Sequence, residues 1–153
     1  KAFAGLDKIN EVKILADNVR DRLGVISFYV EGIHYNLLVR LLNDKYGIQT
    51  RGGCACAGTY GHFLLEVSYE QSQEIADKIN TGDLSDKPGW VRWSLHPTMK
   101  NSEVELMMTA LADIIPNVEI YQKDYVYDNR NNSFFHKDEP SDEKLMKKWF
   151  SLK

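Results

Sequence analysis

The chain has 153 residues, 43% of them hydrophobic and 27% charged, which is material for one domain built around one core. Its 22 acidic and 19 basic residues are interspersed and leave a formal net charge of -3, so no basic stripe offers itself to nucleic acid or to an anionic membrane. No apolar run approaches the about 20 residues of a bilayer-spanning helix, and Lys1 to Leu15 carries charges where a signal peptide would be apolar; a cytoplasmic setting is the expectation.

In chain order, Leu6, Ile9, Val12, Leu15, Val19 and Leu23 recur every three or four positions and predict an amphipathic helix that Gly24 ends. Val25 to Val30 is a β-branched and aromatic run suited to a buried strand. After Gly32, the spacing of Ile33, Leu37, Leu38, Leu41 and Leu42 predicts a second helix, closed by Gly47, and Ile48 to Arg51 follows as a strand. Gly52 to His62 holds four glycines and reads as an ordered loop.

Ser68 and Gln71 form a capping-box pattern before Ser72, Ile75, Ala76 and Ile79, a helix that Gly82 can end; Asp83 to Gly89 is a polar turn. Trp90 to Leu95 predicts a strand with Trp90, Arg92 and Ser94 on one face and Val91, Trp93 and Leu95 on the other. Ser102 and Glu105 suggest a second capping box, opening a long helix through Val104, Met107, Met108, Leu111 and Ile115 to Pro116. Strands at Val118 to Tyr127 and Ser133 to Lys137 would form a hairpin across Asp128 to Asn132, and an acidic stretch leads to a terminal helix with Leu145, Met146, Trp149 and Phe150. The fold class expected from this alternation is α/β or α+β, a small sheet covered on one face by helices.

Chemistry concentrates in Arg51-Gly-Gly-Cys-Ala-Cys-Ala-Gly58. A glycine-rich loop after a strand can supply the backbone N–H groups, and Arg51 the positive charge, that favour a thiolate. Equally, Cys54 and Cys56 can be packing residues, since cysteine is among the most buried residue types. Two positions apart, they make no structural disulfide. A zinc site of Cys54, Cys56, His62 and either His34 or His96 lacks the usual C-x2-C spacing, and no metal is expected. Arg92, with Trp90 and Trp93 beside it, has the fork geometry to hold a carboxylate bidentately, or is a solvated face residue.

The order of these pieces resembles one family. Val25-Ile-Ser-Phe-Tyr-Val-Glu-Gly-Ile-His34, the helix ending before Gly47-Ile-Gln-Thr-Arg51, the cysteine loop, and Trp90-Val-Arg-Trp-Ser-Leu95 together are similar to the small domain of class V aminotransferase-fold enzymes. The likeness covers roughly residues 20 to 115. It implies a pyridoxal-phosphate-dependent transferase small domain at residues 1–127, with residues 128–153 as a C-terminal hairpin and helix extension of the same domain. By position, Arg92 resembles the arginine that binds the substrate α-carboxylate, Arg51 would join it in substrate binding, and Cys56 resembles the sulfur-accepting catalytic cysteine of the cysteine desulfurase and selenocysteine lyase branch; His34 would be structural. After Cys56 and after Ser94 the chain departs from the desulfurase pattern.

The Schiff-base lysine of such enzymes lies in a large domain outside this chain. His136-Lys137 is the only imitation, and Asp138-Glu-Pro140 follows it instead of a glycine run. The expectation is therefore a C-terminal domain, inactive alone and binding no pyridoxal phosphate by itself, of an enzyme acting on an α-amino acid. Its partners would be the missing N-terminal large domain and, in the parent, a second subunit of a homodimer. The competing reading is a free-standing, non-catalytic thiol- or metal-binding module.

Overall fold

The computed structural model describes residues 1–54 and 58–139. A four-stranded antiparallel sheet runs in the order β1 (Val12–Ile14), β2 (Val25–Val30), β4 (Val91–Ser94), β3 (Arg51–Gly52). The short helix α1 (Ala2–Leu6) and the longer α2 (Tyr35–Tyr46) and α5 (Asn101–Tyr121) cover one face. Helices α3 (Gly58–Leu64) and α4 (Tyr69–Asn80) lie in the connection from β3 to β4. This is the mixed α/β small sheet with helices expected from the alternation of elements.

The pleat decides which side chains make the core. In β2, Ile26, Phe28 and Val30 turn inward, and in β4 Val91 and Trp93 do. The register sets Ile26 opposite Trp93 and Phe28 opposite Val91. Onto this surface α2 brings Leu37, Leu38, Leu41 and Leu42, and α5 brings Met107, Ala110, Leu111 and Ile114, all buried. Helix α2 is held at its start by the His34 ring, whose Nδ1 accepts from the Asn36 N–H, and Gly47 in the left-handed region ends it. The His34 ring also stacks on Tyr35, and burial pushes its pKa down.

A hairpin of β5 (Tyr125–Asp128) and β6 (Ser133–His136) packs against α2. The buried Asn132 ties it there: its Nδ2 donates to the Tyr35 hydroxyl at 2.6 Å, and the Tyr127 hydroxyl donates to its Oδ1 at 3.0 Å.

Several sequence expectations are corrected. The helix expected from Leu6 to Leu23 does not form: α1 ends at Leu6, and Val12–Ile14 joins the sheet by pairing with Val30 to Phe28. Ala16 has φ 51°, outside helical geometry, and Leu23 is 91% exposed. Pairing with β2, invisible to local periodicity, decides the segment. The strand expected at Ile48 to Arg51 shrinks to Arg51–Gly52, because the Ile48 N–H is taken by the Leu42 carbonyl at the end of α2.

The loop expected from Gly52 to His62 has α3 over its second half. Helix α5 starts at Asn101 rather than behind Ser102, with Glu103, not Glu105, accepting from the Lys100 N–H. It also passes through Pro116 to Tyr121, taking up part of the expected strand at Val118 to Tyr127. Proline removes the donor that would pair with the Ala112 carbonyl, and in the next step of the turn the Asn117 side-chain amide adds a bond to the Asp113 carbonyl at 2.8 Å. The helix expected around Leu145 to Phe150 lies outside the described residues.

Candidate functional site

The helix-free face of the sheet carries the other half of the pleat. Ser27 of β2 stands opposite Arg92 of β4, and Arg92 stands opposite Arg51 of β3, so one row of the sheet reads Ser27, Arg92, Arg51. Gly53, with φ 104°, turns the chain out of β3 and donates its N–H to the Trp90 carbonyl at 3.0 Å, so the two arginine-bearing strands are clamped just beyond the row. Beside the row, Leu15, Cys54 and Trp90 form a second small buried cluster, on which Leu64 and Leu65 pack.

These groups enclose a cavity of about 290 Å³. Its wall combines the apolar Leu15, Leu64 and Trp90 with Ser27, Cys54, Tyr60 and three guanidinium-bearing residues, Arg22, Arg51 and Arg92. No carboxylate lines it among the described residues. Arg22 is committed to the backbone of its own turn: Nε donates to the Val19 carbonyl at 2.6 Å, Nη1 to Leu15 at 3.2 Å, and Nη2 to Ala16. This satisfies carbonyls that the absent helix would have paired. The side chains of Arg51 and Arg92 make no hydrogen bond or ion pair with any of the described residues. The cavity thus offers two guanidinium forks aimed at whatever anion enters.

The structure therefore brings Arg92 and Arg51 together, as neighbours across a strand pair. Cys54, at 9% exposure against Trp90 and Leu15, matches the packing alternative for that thiol. Cys56 lies outside the described residues. Arg22 and Ser27 are the site residues that the sequence reading missed. Ser27 shares the alternation of β2 with Tyr29, the signal that would have placed it; Arg22 was hidden inside the misread helix.

The histidines of the zinc alternative are spread out and otherwise engaged. His62 Nδ1 pairs with the Ser72 hydroxyl at 2.9 Å, His96 Nδ1 with the Thr98 hydroxyl at 2.8 Å, and His34 caps α2. Among the described residues no group of three His, Cys, Asp or Glu side chains is placed to hold a metal ion. No helix among them is long and apolar enough to cross a membrane.

A comparison with curated proteins finds no match to the chain. A family model does match: aminotransferase class-V, over residues 1–107, which is more than half of the chain and contains the whole Ser27, Arg92, Arg51 row. Members of that family generally depend on pyridoxal phosphate. The residues on this cavity do not fit the cofactor by themselves, because no lysine among the described residues lines it to link the pyridoxal aldehyde. Lys137, the one lysine that follows a histidine, lies just past β6 and donates to the Lys123 carbonyl. The match over residues 1–107 makes the chain a member of the class V aminotransferase family.

Proposed function

We propose that this chain supplies the substrate-carboxylate site of a class V aminotransferase-like enzyme acting on an α-amino acid, with the cofactor carried by a large domain outside the chain. The observation that carries the reading is the cross-strand pair of Arg92 and Arg51, two guanidinium groups on one cavity wall without an acidic partner among the described residues. In this role Arg92 holds the α-carboxylate through paired N–H donors, and the fork fixes the orientation of the amino acid as well as its position. Ser27 and Trp90 bound the carboxylate end, and the apolar wall of Leu15 and Leu64 limits water around it, which strengthens the charged hydrogen bonds. The buried Cys54 acts as wall, so a thiol chemistry at this loop, as in the desulfurase alternative, falls to Cys56.

The test is Arg92→Lys in the full chain, titrated with L-alanine by NMR. A point charge replaces a bidentate fork, and about 1.5 to 3 kcal/mol of charged hydrogen bonding is at stake, discounted because Arg92 is only half-buried. We expect affinity to fall about tenfold with the melting temperature unchanged. Equal affinity for the variant and the parent chain returns Arg92 to the role of a solvated face residue.

A further inference from the structure

The row of Arg51 beside Arg92 carries a consequence for the substrate. Cross-strand neighbours on one face have Cβ atoms about 5 Å apart, and like charges so placed repel. Natural sheets relieve such a pair with an acidic neighbour, and this cavity wall has none among the described residues. Arg22 adds a third positive group, three of whose donors are spent on its own turn, leaving its charge uncompensated there. One α-carboxylate answers one fork, that of Arg92; the fork of Arg51 is left open at the same wall.

We infer that the site is built for an α-amino acid with a short acidic side chain, whose α-carboxylate binds Arg92 and whose second carboxylate binds Arg51. This rests on the carboxylate reading of Arg92 given above and names the substrate class for that site. Geometry favours the assignment: Arg51 and Arg92 stand opposite each other on one strand pair and line the same cavity, so a neutral side chain would leave the Arg51 fork there without an anionic partner.

The experiment compares L-aspartate with its near-isostere L-asparagine in NMR titrations of the full chain at fixed ionic strength, with L-alanine as the reference for the carboxylate alone. The expected result is aspartate binding about tenfold or more tighter than asparagine, with Arg51→Gln, at an exposed position outside the core, collapsing that ratio toward one. Equal affinity for aspartate and asparagine, with L-alanine still bound, overturns the inference and leaves the carboxylate reading standing. A ratio that survives Arg51→Gln also overturns it, since the second carboxylate is then held elsewhere. Failure of all three amino acids to bind overturns the inference together with the reading beneath it.

Discussion

Phe28→Ala is expected to cost about 3 to 5 kcal/mol, which would leave a domain of ordinary stability, about 5 to 15 kcal/mol, close to its unfolding threshold. Phe28 is fully buried at the centre of the sheet, opposite Ile14 of β1 on one side and Val91 of β4 on the other. Truncating it removes apolar contact with both neighbouring strands and opens a void under α2 and α5 that rigid strand pairing prevents from closing. Leu23→Ala is the matched control: at 91% exposure it should shift stability by less than about 0.5 kcal/mol. Urea denaturation of both variants checks the pair. A large loss from Leu23→Ala, with a small one from Phe28→Ala, would favour the Leu6 to Leu23 helix over the sheet edge seen here.

Gly89→Ala is expected to destabilise the chain by about 1 to 3 kcal/mol and to weaken carboxylate binding with it. A Cβ at Gly89 would stand 2.6 Å from two Tyr35 ring carbons and 2.9 Å from the Gly53 Cα. Neither neighbour can give way easily. The Tyr35 ring is buried and its hydroxyl accepts from Asn132, while Gly53 is held by its hydrogen bond to the Trp90 carbonyl. Relief must therefore come from moving the start of β4 or the end of β3, the two strands that carry Arg92 and Arg51. Thermal melting and an L-alanine titration on the same sample read both effects. An unchanged melting temperature would show that the backbone at Gly89 is farther from Tyr35 than the structure has it.

Much of this fold is legible without coordinates, and the exceptions have a common cause. Helix α2 could be read because its apolar spacing, the polar ring at His34 and the terminator at Gly47 all agree locally, and α4 because Ser68 and Gln71 cap each other as their spacing implies. The residues from Leu6 to Leu23 misled because their spacing is nearly helical, whereas their true constraint is pairing with a strand more than ten residues downstream. Pro116 misled for a related reason: α5 runs on past its proline to Tyr121, which the local rule that proline ends a helix does not allow for.

The candidate site divides the same way. The face that Arg92 occupies follows from strand alternation alone, and that inference survives intact. The resemblance put Arg51 on the substrate without saying how it reaches Arg92; the register of β3 against β4 supplies the reason. Arg22 was out of reach of any local reading, since its position depends on a turn that exists only because β1 pairs with β2. Cysteine burial is a tertiary property too, and Cys54 becomes a wall residue only once Trp90 and Leu64 close over it.

The most direct test of the central claim is a titration of the isotopically labelled chain with L-alanine, observing the arginine Nε–H resonances. The account predicts that the Arg92 signal shifts saturably, while Arg130, exposed on the turn between β5 and β6, stays in place. An Arg92 signal that does not move, or one that drifts in step with Arg130, would contradict a carboxylate site on the open face of this sheet.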